Sequence, residues 1–274
     1  MHKMLSKMYS AVFFACADDG IGKFDRSMLS QQDLMELFIF GLNEPEKICG
    51  SQEDPDDVCE WKGVKCNADG EVKEFEWVLK SEDGTGTLGF EFLPCSMKTL
   101  RMFMNALSGT IQLAGLPEKM EVISLASNKL TGTLDLDGLP ADVQALNLTQ
   151  NKFTGEISLK KLPKGLRFLT LSANQLSGAV CLTSLPPALD TLYLENNTLE
   201  GSLDFRRLPK SIRNLSFDEN RFSGTIDLGN LPESMTFLDV KNNALSGTVR
   251  VPHGLSGFFG ENNELTVERV EITI

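Results

Sequence analysis

Histidine is almost missing from this chain: His2 and His253 stand at opposite ends of 274 residues. Proton transfer near neutral pH and imidazole-ligated metal sites lean on that side chain, so both are disfavoured at once. Basic residues are short too, 26 Lys and Arg against 38 Asp and Glu, for a net charge of −12. Such a chain repels a phosphate backbone, which argues against general nucleic-acid binding. No apolar run approaches the roughly 18 residues that a membrane helix needs, so no membrane span is expected. Six cysteines are too few to build a disulfide scaffold of this length, although a local staple is open.

The chemistry that remains is thin. No Ser–His–Asp or Cys–His arrangement can be drawn, and His253 could at most meet Asp239. Gly84, Gly86 and Gly89 spell a dinucleotide-type glycine motif, but Phe90, Glu91, Phe92, Leu93 and Pro94 follow it. That stretch is extended, where such a site needs a helix. Residues 51–57 form an acidic loop without the spacing of a calcium loop, so it reads as solvated. No enzyme activity, cofactor or metal is expected.

What the chain has is a repeat. Leu-Pro recurs at Leu93, Leu116, Leu139, Leu162, Leu185, Leu208 and Leu231, each step 23 residues. Twelve residues after each leucine stands an asparagine: Asn105, Asn128, Asn151, Asn174, Asn197, Asn220 and Asn243. Sixteen after stands a glycine, Gly109 through Gly247. An eighth unit opens at Val251 and Pro252, with Asn263 taken as its asparagine. In the unit at residues 208–230, Leu215 and Phe217 point to one face of a short strand, and Asn214, Ser216 and Asp218 to the other. Asn220 then leaves the strand, where its amide can bond backbone in its own turn and the next coil. One unit cannot bury its apolar face alone, so neighbours must stack into a continuous core with a parallel sheet. The rest of each unit reads as extended or single-turn backbone.

These units resemble the leucine-rich repeat, LxxLxLxxNxLxGxL, over residues 93–265, and most closely its plant-type subclass. They depart from it in a 23-residue length and in a proline carried by the following Leu-Pro, features similar to protist repeats. The resemblance implies an α/β-type solenoid: a right-handed leucine-rich repeat horseshoe with a parallel concave β-sheet and little helix in the repeats. Cys59-Glu-Trp-Lys-Gly-Val-Lys-Cys66 is similar to the plant-type N-terminal cap, and that likeness implies a Cys59–Cys66 disulfide over Trp61. Residues 1–92 hold 9 basic and 19 acidic residues and are read as an acidic helical cap. In it, residues 33–40 suggest a helix starting near Asp33, and Phe75 and Trp77 a degenerate first strand. Residues 93–265 are read as eight repeats and 266–274 as a terminal strand or tail. Cys95 and Cys181 are expected as reduced core residues.

Residues 1–17 have two readings. They resemble a secretory signal ending at Ala15, Cys16 and Ala17, and their apolar spacing also fits an amphipathic helix. The helix, and with it an intracellular location, is preferred to secretion. Sequons at Asn147, Asn196 and Asn214 matter only if the chain is secreted.

In a leucine-rich repeat the outward strand positions form one concave surface. Early repeats present small, neutral or apolar residues around Phe103 and Phe168. Late repeats present Tyr193, Glu195, Asp218, Glu219, Phe237, Asp239 and Lys241, then Phe259 and Glu261. Aromatic anchors in an acidic field suit a protein or peptide, a basic one in particular. The expected function is therefore a non-catalytic binding module. Two alternatives are a structural subunit of a large assembly and a secreted, wall-directed protein of the hydrolase-inhibitor kind. The oligomeric state is not legible.

Overall fold

The computed structural model describes residues 26–80 and 84–269, so both readings of residues 1–17 lie outside the described residues. The chain winds as a solenoid, and one continuous apolar core runs from Met35 to Phe259. The cap begins with helix α1, Gln31–Ile39. Ser30 caps it, its hydroxyl accepting from the Asp33 backbone N–H at 3.1 Å, so the helix starts two residues before the expected region. Its apolar face buries Phe38 edge-on against Phe75 and Phe90, at 5.9 and 6.1 Å between ring centres. That contact fixes the cap on the first coil.

A disulfide joins Cys59 to Cys66, with 5.6 Å between their Cα atoms. It ties the turn Val58–Glu60 to the strand Val64–Cys66, which pairs antiparallel with Val72–Glu76. The antiparallel strand closes an edge that a parallel stack would otherwise leave open. Trp61 lies buried beneath it and donates its indole N–H to the Asp56 carbonyl at 2.8 Å.

From Val72–Glu76 onward the strands run parallel. The sheet has ten strands in all, ending at Ser256–Phe258. Each middle residue pairs with its counterpart one unit along: Leu100 with Ile123, Leu146 with Leu169, Leu192 with Leu215. The 23-residue period is therefore the sheet register, and it keeps every inward leucine in the core. The asparagines bind the coils together. Asn151 donates to the carbonyls of Leu148 in its own unit, at 3.1 Å, and Leu125 in the preceding one, at 3.0 Å. Its side-chain oxygen accepts from the Leu130 N–H at 3.0 Å. Asn128, Asn174, Asn197 and Asn220 repeat this pattern. A buried amide so used satisfies backbone groups that the turn leaves without partners.

Just before each asparagine the backbone turns left-handed, at Met104, Ser127, Gln150, Ala173, Asn196, Glu219, Asn242 and Glu261. The chain then enters a second parallel sheet of seven strands, from Thr131–Thr133 to Glu264–Arg269, which the sequence reading left as generic extended backbone. The glycine column belongs to it. At Gly155, φ is +82° and an added Cβ would stand 3.0 Å from Thr133 Cγ2 in the coil below. Only glycine meets both demands without strain.

Three expectations fail. The asparagine of the last unit is Asn262, not Asn263: Asn262 is buried and donates to the Val240 and Phe259 carbonyls. For the same reason Phe259 lies in the core and its neighbour Phe258 faces outward, paired with Asp239 across the strands. One more residue is lost between Leu255 and the strand than a fixed spacing assumes, which moves each later position by one. Cys95 is exposed and Cys181 half-buried, because Cys95 lies in a turn and Cys181 in irregular backbone after a second-sheet strand, neither at an inward strand position.

Candidate partner-binding face

Outward residues of the ten-stranded sheet form a grid. One column runs Phe168, Thr191, Asn214, Phe237; the next Thr170, Tyr193, Ser216, Asp239, Phe258. A third lies where the strands end, at Ser172, Glu195, Asp218 and Lys241. Strand spacing sets the pitch of each column at about 4.8 Å.

The late end of the grid draws several expected residues into contact. Asp218 and Asp239 are buried, only 9% and 5% exposed. Asp218 accepts from the Ser216 hydroxyl at 2.7 Å, and Asp239 from the Lys241 backbone N–H at 3.0 Å. The Lys241 ammonium sits 3.8 Å from a carboxylate oxygen of each. It also lies 5.6 Å from the centre of the Phe258 ring, which meets Phe237 edge-on at 6.2 Å. Burial raises the Asp239 carboxyl above the ordinary aspartate range, the nearby Asp218 charge adding to it. Burial likewise raises Glu195, with Asp218 and Asp239 contributing, and raises the Tyr193 phenol, with Glu195 adding to it. Crowded carboxylates inside a partly dry surface hold their charge at a cost.

The other expected residues stand apart. Phe103 is half-buried at the early end, about 19 Å from Tyr193 by strand count. Phe168 is exposed, with the Arg167 guanidinium 5.4 Å from its ring centre. Glu219 and Glu261 are exposed on the rim, at the left-handed turn positions. Thr170, Ser172 and Ser216 are outward positions of the same surface, as their strand spacing implies. Phe258 joins the late patch unforeseen, hidden by the last-unit register.

No protein-family model matches the chain, and no curated protein does. Solved structures do. A plant peptide hormone receptor, RGFR1 in complex with RGF2, is 24% identical with a TM-score of 0.52 over 64% of this chain. This chain spans only 30% of that receptor's length. A plant ice-binding protein is 19% identical with a TM-score of 0.55, covering 89% of this chain and 98% of its own. The fold is that of a leucine-rich repeat. At these identities the likeness concerns the solenoid of leucine-rich repeats and not its ligand.

Proposed function

We propose that this chain is a non-catalytic binding module that holds a protein or peptide, a basic one in particular, on the late half of its concave sheet. The observation that carries the reading is the pair Asp218 and Asp239, buried on an outward face around Lys241 and framed by Phe237 and Phe258. A merely solvated face gains nothing by burying two carboxylates, which costs stability. Aromatic rims around a fixed charge are the composition of interface hot spots. The hormone receptor complex supports a peptide-binding use of the fold. The cap through residue 92 covers the open end, and Glu264–Arg269 closes the second sheet beyond the repeats. The Cys59–Cys66 bond persists in oxidising compartments, which favours a secretory route over the intracellular location read from residues 1–17.

The test is capture of a partner from the native source by the wild-type chain and by the triple variant Tyr193→Ala, Asp218→Asn, Asp239→Asn. The variant is expected to stay folded, with a cooperative melt, and to lose the partner. Equal capture by both sinks the reading.

A second reading follows from the ice-binding neighbour and one feature of the second sheet. Hydroxyl residues flank the glycine column at Thr131 and Thr133, Ser223 and Thr225, Ser246 and Thr248. Glu156, Ala179 and Glu200 interrupt the array, so partner binding is preferred. Ice recrystallisation at the rate of an albumin control would set the ice reading aside.

A further inference from the structure

The third column of the grid holds one cation and, further along, an unpaired carboxylate. At its late end Lys241 is seated against Asp218, Asp239 and the Phe258 ring. Earlier in the same column, Glu195 makes no ion pair among the described residues. Its Oε2 atom is buried with no hydrogen-bond partner. The Ser172 side chain, 3% exposed, faces that carboxylate. Two residues earlier on the same strand face, the Thr170 hydroxyl is buried without a partner. Buried polar atoms are normally satisfied, so the open Oε2 of Glu195, with Thr170 unpartnered on the neighbouring strand, marks a place where a polar group is missing. Tyr193, half-buried, stands two residues before Glu195 on the same strand face. A carboxylate with neighbouring hydroxyls and one aromatic ring has the chemistry of an ammonium or guanidinium site. Lys241 shows that this surface already holds such a group two strands away.

We propose that Glu195, with Ser172 and Thr170, receives a lysine or arginine side chain from a basic segment of the partner. This rests on the concave-face reading above. The cation gives Glu195 the counter-charge that Lys241 gives Asp218 and Asp239, and Tyr193 flanks its alkyl stem.

The probe is a fluorescein-labelled hexalysine peptide, titrated by anisotropy against the full chain, with its Nε-acetylated form as the uncharged comparison. Glu195→Gln keeps the shape of the side chain and removes its charge. It is expected to weaken hexalysine binding about tenfold. Glu200→Gln, which makes the same charge change on the second sheet, is expected to change it less than twofold. Equal loss in the two variants would show a general field effect and overturn the proposal. Unchanged binding by Glu195→Gln would also overturn it. If the triple variant at Tyr193, Asp218 and Asp239 still abolishes hexalysine binding in that case, the concave-face reading survives alone. If the triple variant leaves binding intact, both fall. The melting temperature of Glu195→Gln, expected at or above wild type, shows that any loss is not misfolding.

Discussion

The early and late halves of the concave sheet share one backbone and differ in almost nothing but outward side chains. Val122–Ser124 and Ala145–Asn147 pair in the same parallel register as Asn214–Ser216 and Phe237–Asp239. The asparagines beneath them make the same bonds. Yet the early strands present Ser124, Ala126 and Asn147, while the late ones present buried carboxylates, a lysine and aromatic rings. The frame is thus uniform and the surface is not. What repeats every 23 residues builds the solenoid, and what breaks the repeat is where recognition chemistry sits.

The largest effect should fall on the frame, equally in both halves. Asn151→Ala strips bonds from three carbonyls and one N–H inside the stack, and Asn220→Ala does the same in the late half. Each should cost about 3–5 kcal/mol in urea denaturation. A gap between them greater than about 1 kcal/mol would break the claim of a uniform frame. Next comes the cap. Replacing Cys59 and Cys66 by serine opens an eight-residue loop and should cost about 2–3 kcal/mol. Strong reductant should reproduce that loss in the wild-type chain and leave the serine variant unmoved.

A smaller effect, of opposite sign, separates the halves. Asp239→Asn should raise the melting temperature at neutral pH by about 1–4 °C while weakening partner binding. The sign follows from burial. A carboxyl raised above its unfolded value of 3.8 favours the folded state only when protonated. That favour is complete below the unfolded value and is lost as pH rises through the folded one. The advantage of the asparagine variant should therefore fade on acidification, and melting curves at neutral pH and near pH 3 would check it. Asn147→Ala in the early half should show neither the gain nor the binding loss. Smallest is the exposed pair between Arg250 and Glu268, at 2.9 Å on the last strands. Arg250→Ala should move stability by less than about 0.5 kcal/mol, a change read from the same urea curves.

Much of the frame was legible because its signals are spaced by structure itself. Leu-Pro, Asn and Gly recur at fixed offsets, so strand register and ladder follow from counting. The second sheet was not legible, because its strands carry a glycine at mid-length and expose most of the remaining side chains, which looks like a turn. The last unit misled for a different reason. Two phenylalanines and two asparagines stand side by side at Phe258, Phe259, Asn262 and Asn263, so a one-residue shift leaves the pattern looking intact. In the candidate site, outward positions could be named, but burial could not. Nothing in the sequence distinguishes the exposed Glu219 from the buried Asp218, since the left-handed turn between strand and asparagine decides which side chain tips outward.

Hydroxyl-radical footprinting of the chain with saturating hexalysine, and then with the captured partner, tests the asymmetry most directly. Met104, 50% exposed at the early end, and Phe258, 58% exposed at the late end, are both open to the radical in the free chain. Protection of Tyr193, Phe237 and Phe258 with Met104 unchanged is the expected result. Protection centred on Met104 and Phe103, or on neither end of the sheet, would contradict the assignment of recognition to the late concave face.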